Sequence, residues 1–121
     1  MRYMMLIYSR EVEAATPENM RAVSAAHKAL MDQARDHGIF CAAEPLQPSM
    51  TATTLRVQDG QSLVTDGPFA ETKEQLAGYY ILDCQDLDEA LTWAAKIPTA
   101  CAGAPGCIEI RPIREFPTVN A

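Results

Sequence analysis

The sequence predicts an α+β fold, ferredoxin-like, with a split βαβ pattern and an inserted β-hairpin. Three observations lead there. A β-rich run, a capped helical pattern and a second β-rich run follow one another between Arg2 and Glu44. A strand, an Asp-Gly turn and a returning strand occupy the middle of the chain. From Gly78 onward the order strand, helix, strand returns. The 121 residues suit a single domain, 1–121, with one continuous core.

Each element has a local reason. Arg2 to Tyr8 is a short apolar run that suits a strand buried on both faces. Thr16 is placed to N-cap a helix, with Pro17 at its first position and Glu18 beside its positive end. That helix should run to about His37, where Gly38 ends it. Met20, Val23, His27, Leu30 and Ala34 recur at helical spacing and should share a face. Ile39 to Glu44 reads as the second strand, and Pro45 and Pro48 bracket a loop. Thr53 to Gln58 alternates, Asp59-Gly60 is a hairpin turn, and Gln61 to Thr65 returns. Asp66 to Ala77 is an irregular or short helical connection. Gly78 to Cys84 is a further strand. Asp86 and Glu89 then make a capping box for a second helix with the apolar stripe Leu87, Ala90, Leu91 and Ala94, which Pro98 stops. Thr99 to Gly106 is a loop. Cys107 to Ile113 is the last strand, its Pro112 pointing to an edge or an end.

Composition narrows the function. Hydrophobic residues make up 48% and charged residues 21%, which is globular rather than disordered. The net charge of −6, with no basic stripe, disfavours direct nucleic-acid binding. Converging arginines could still hold a small anion. Cys41, Cys84, Cys101 and Cys107 form no C-x-x-C pair, and their spacing suits neither zinc nor a redox motif. The expectation is a reduced, cytoplasmic protein with no leader and no membrane span, in which the cysteines are core or surface residues.

The most distinctive segment is TDGPFAETKEQL, Thr65 to Leu76. Gly67 and Pro68 make a rigid turn after a strand, and Pro68 biases Gly67 toward an extended conformation. Such a turn fixes the direction of Asp66, and Phe69 anchors the loop if its ring is buried. Glu71, Lys73 and Glu74 follow closely. Clustered, partly desolvated carboxylates can have separated pKa values, which suits acid/base work. A turn cap at Asp66 and a solvated charged loop behind it explain the same residues. His27, on the apolar stripe of the first helix, reads either as a satisfied core histidine or as a proton carrier beside a carboxylate. His37 is explained by the helix dipole. The two histidines lie ten positions apart and no third ligand is evident, so no metal is assigned, and no other cofactor is expected. Arg56 and Arg111 lie on strands. They could bind a carboxylate ligand, or pair at the surface with Asp59 or Glu109.

These residues also carry a resemblance. TDGPFAETKEQLAGYYILDCQDLDEALTWAAKIP is similar to the signature of the DGPF branch of the YCII-related proteins. RYMMLIY, LQP at Leu46 to Pro48, TATTLRV and IEIRPI extend the likeness over nearly the whole chain. The resemblance implies a dimeric α+β barrel, in which two sheets pack face to face. It implies a His–Asp pair in a cleft, and relatedness to dehydrochlorinases of aromatic breakdown that carry this domain. It also implies an association with extracytoplasmic-function sigma factors. The signature falls on Asp66, Gly67, Pro68 and Phe69, with Glu71, Lys73 and Glu74 behind it.

Two functions fit. One is an enzyme that moves a proton on a small organic acid or aromatic-derived molecule, by isomerisation or elimination. Asp66 would be acid or base, Glu71 or Glu74 its tuner, and Lys73 or Arg56 the stabilising cation. The other is a non-catalytic ligand-binding or regulatory module. A homodimer is expected in either case, because the strands around Tyr79 to Cys84, with Ile108 and Ile110, leave the sheet face away from the helices partly apolar.

Overall fold

The computed structural model describes residues 1–11, 16–98 and 106–117. In chain order the elements are β1 (Arg2–Ser9), α1 (Pro17–Asp36), β2 (Phe40–Pro45), β3 (Thr53–Gln58), β4 (Gln61–Asp66), β5 (Gln75–Asp83), α2 (Leu87–Ala94) and β6 (Gly106–Pro112). A single 3-10 turn, Ser49–Thr51, precedes β3. Four strands form one antiparallel sheet in the order β2-β5-β1-β6, and β3 and β4 form a separate two-stranded sheet. This is the ferredoxin-like α+β arrangement with its inserted hairpin.

Local chemistry sets the element ends. The Thr16 hydroxyl accepts from the Asn19 amide at 3.1 Å and Pro17 opens α1. The Asp86 carboxylate accepts from the Glu89 amide at 2.9 Å and opens α2. Gln58 faces Gln61 across Asp59 and Gly60, whose φ angles of 51° and 75° are those of a tight hairpin turn. Residues 99–105 of the expected loop at Thr99 to Gly106 lie outside the described residues, and Gly106 already belongs to β6.

Both helices cover one face of the sheet. Leu30 and Ala34 of α1 and Ala90, Trp93 and Ala94 of α2 pack with Tyr3, Met5, Ile7, Tyr80 and Leu82. β1 therefore alternates between buried and half-buried positions, where the sequence suggested burial on both faces. The face without helices carries Met4, Leu6, Tyr79 and Ile81, which the register sets beside one another.

Three expectations about faces are corrected. Ile108 and Ile110 pair with Ile7 and Met5 and pack against the core, not on the open face. In α2, Leu87 and Leu91 are exposed and Trp93 takes the inward position, its ring edge-on to His37 at 5.1 Å. Met20, at the first turn of α1, lies beyond the sheet's cover and is exposed. The helical stripe of α1 thus holds from Val23 onward, where the sheet lies beneath it.

Candidate functional site

A cavity of about 340 Å³ lies between α1 and the sheet, within the usual range for small-molecule sites. Val23, His27 and Met31 line it from α1; Ile7, Ala43 and Tyr80 line it from the strands. The helical spacing of 23, 27 and 31 makes one inward edge, and strand alternation turns Tyr80 to the same side. His27 Nδ1 and the Tyr80 hydroxyl are 2.7 Å apart. Burial lowers the His27 pKa below its ordinary value. Burial also pushes the Tyr80 phenol up to about 12. Both groups are therefore neutral near pH 7.

This pairing has a useful property. If the phenol donates to Nδ1, Nε2 carries a proton and the phenol oxygen keeps a free lone pair. If Nδ1–H donates instead, Nε2 is a free base and the phenol proton is available. In either tautomer the pair offers one donor and one acceptor to a third molecule. Glu44 and Ser24 also line the cavity, whose wall is otherwise largely apolar.

The signature lies elsewhere. Asp66 is the last residue of β4, opposite Thr53, and is exposed. Its carboxylate makes no hydrogen bond or ion pair among the described residues, so it is not the side-chain cap of its turn. Gly67 has a φ of +103° rather than the extended backbone expected before proline. Its amide donates to the Ala52 carbonyl at 2.7 Å, and its carbonyl accepts from the Thr54 hydroxyl at 2.8 Å. These bonds tie the turn to the start of β3. They hold Gly67 in a conformation that side chains disfavour.

Phe69 is 78% exposed and does not anchor the loop by burial. It stands at the edge of a second cavity of about 520 Å³, with Tyr8, Thr72 and Glu74. Asp66 lines neither cavity, and the hydrogen-bond partner of His27 is Tyr80 rather than an aspartate. Glu71 and Lys73 are exposed beside the signature. The acidic loop and His27 do not converge on one cavity.

Arg56 is exposed on β3 and Arg111 on β6, opposite Met4. The surface pairs with Asp59 and Glu109 do not form; the ion pairs among the described residues are elsewhere, as in Arg2–Glu115 and Lys28–Asp32. His37 donates from Nδ1 to the Gln33 carbonyl at 2.9 Å, which closes the end of α1. Burial, then the charges of Glu89 and Asp83, push the Cys84 thiol up to about 11, which makes it a packing residue rather than a nucleophile. Cys101 lies outside the described residues. Among the described residues no three His, Cys, Asp or Glu side chains are placed to hold a metal ion, and no helix is long and apolar enough to cross a membrane.

Sequence reasoning missed Tyr80. One signal was present: strand alternation buries Tyr80 with Leu82, and a buried phenol needs a polar partner. The identity of that partner, 53 positions earlier, depends on how α1 lies on the sheet.

The antiparallel sheet, its two helices on one face and the cavity under α1 define a ferredoxin-like α+β protein with room for a small molecule. Within that class the chain belongs to the YCII-related family, whose domain matches residues 1–117. It is also similar to an uncharacterised protein of Rhizobium meliloti (strain 1021), at 50% identity over 68 residues. That match covers 56% of this chain and 54% of the relative, so the chain spans about half the length of the curated relative it matches.

Proposed function

We propose that this YCII-related protein, of the DGPF branch, is an enzyme that moves a proton on a small, largely apolar organic molecule held beneath α1. The carrying observation is the 2.7 Å contact between His27 and Tyr80 at the wall of the 340 Å³ cavity. A neutral imidazole is a competent base near pH 7, and a hydrogen-bonded phenol can return the proton or hold a developing oxyanion. The apolar wall favours an aromatic-derived body over a highly charged one. This reading moves the acid/base role from Asp66 to His27. Asp66, Glu71 and Lys73 then serve the signature loop, and Arg56 and Arg111 remain available for an acidic substituent.

The protein works as a homodimer in this reading. The support is the open sheet face, where Met4, Leu6, Tyr79 and Ile81 lie side by side with no helix over them among the described residues. A regulatory module is the competing reading. It is favoured by the hairpin, whose Leu55, Val57 and Val64 are exposed and free to meet another protein.

The test works without a named substrate. Small aromatic acids and lactones are incubated with the protein in D2O, and deuterium entry beside the carbonyl is followed by NMR. Enzyme-dependent exchange is expected for at least one compound, with His27→Gln slowing it about 10²–10⁴-fold. Unchanged exchange in His27→Gln sinks the proposal. Loss in Asp66→Asn with His27→Gln intact returns the role to the signature. No exchange with any compound, and no shift of the His27 ring signals, favours the regulatory module.

A further inference from the structure

The second cavity shares no lining residue with the first. It lies where the end of β1 meets the signature loop and the start of β3, and its 520 Å³ would hold a small organic molecule. Glu74 is the one Asp, Glu, Lys or Arg side chain that lines it. The residue as a whole is half-buried, and its carboxylate has no ion-pair partner among the described residues. Its neighbour is the Cys107 thiol, 3.6 Å away and a weak donor. Lys73, adjacent in sequence, is exposed and outside the lining.

Two aromatic rings, Tyr8 and Phe69, line the same cavity, and the remaining polar lining is hydroxyl and amide. The walls are held before any ligand arrives. Gly67 is bonded on both sides to the β3 end, and the Ser49 amide and hydroxyl bind the Glu11 carboxylate at 2.7 and 2.9 Å.

We infer that this cavity binds an organic ammonium group. A lone carboxylate on the wall of a cavity, with no cation paired to it among the described residues, favours a positive ligand. Aromatic faces attract an alkylated ammonium, whose charge is spread over its methyl groups. A bare metal ion would find a single carboxylate there, and an anion would find no Lys or Arg in a chain of net charge −6. The inference also accounts for Phe69, whose exposed ring has no packing role in the chain itself.

Choline and its neutral isostere 3,3-dimethylbutan-1-ol, titrated into the full chain and followed by amide NMR, decide the matter. Choline should give saturable shifts at Tyr8, Thr51 to Thr54 and Glu74 to Leu76. The isostere, lacking the charge, should bind about tenfold more weakly. Glu74→Gln should lower choline to the isostere's affinity and leave the isostere unchanged, and Phe69→Ala should weaken choline a few-fold. Equal affinity for the two probes, or no saturable shift with choline, overturns the inference. The wild-type probe pair suffices if Glu74→Gln folds poorly. The His27 ring signals should not move, so this outcome and that of the proton-exchange test are independent.

Discussion

The β5 strand and the β3–β4 hairpin are made from similar residues, yet they lie in different surroundings. QLAGYYILD buries every second residue from Gly78 onward beneath two helices, with Tyr80 and Leu82 almost wholly covered. TTLRVQ and QSLVTD carry equally good β-formers, and all but Thr54 are exposed. Strand formation is a local matter of branched side chains and a tight turn. Burial needs a second layer, and α1 and α2 both lie over the larger sheet. The chain thus separates a region that carries the packing from a surface open to contact, and the signature loop joins the two.

The comparison is tested hardest in the sheet. Leu82, 1% exposed, should lose about 2–5 kcal/mol of stability on replacement by Ala, read as a lowered midpoint in urea. A smaller effect is expected at Gly78. A Cβ there would lie 2.7 Å from the Glu44 carbonyl oxygen, a backbone atom that moves only with β2. Gly78→Ala should therefore cost about 1–3 kcal/mol and spread β2 from β5, seen as faster amide exchange at Glu44 and Leu46, on either side of Pro45.

His27 provides a test tied to pH. Its folded-state pKa lies below the ordinary 6.5, so between those two values the unfolded chain binds more protons than the folded one. Stability from this group is complete above 6.5 and is lost as pH falls toward the folded value. The melting temperature of the wild type should drop through that window. His27→Phe should flatten the part of the curve that His27 contributes, and an unaltered curve would place the ring in solvent.

The hairpin and its loop should respond least. Phe69→Ala and Val57→Thr should each change stability by no more than about 0.5 kcal/mol, because neither side chain is covered within the chain. If either change lowers the melting temperature only at high protein concentration, a second copy covers that surface. A large loss at every concentration would erase the contrast between the two regions.

Much of the architecture was legible because its causes are short-ranged. Thr16 with Pro17, Asp86 with Glu89, and Asp59 with Gly60 announce two helix starts and a hairpin, each through atoms a few residues apart. The order of elements then selects the ferredoxin-like arrangement. The candidate site was less legible. His27 could be placed on an inward helical edge from spacing alone, but Asp66 looked like its equal because charge clustering in sequence carries no information about cavities.

What the sequence by itself determined is the order of elements, their caps and the turn that makes the hairpin, since backbone hydrogen bonding and side-chain capping act within a few residues. Only the tertiary structure decided which side of each strand is covered: Ile108 and Ile110 face the helices, Leu87 and Leu91 face out, and Phe69 stays bare. It also decided that Tyr80, not an aspartate, meets His27. The physical reason is common to all of these. Burial, and the pKa shifts that follow from it, depend on which surface another layer removes from water, and that choice is made by packing between residues far apart in the chain.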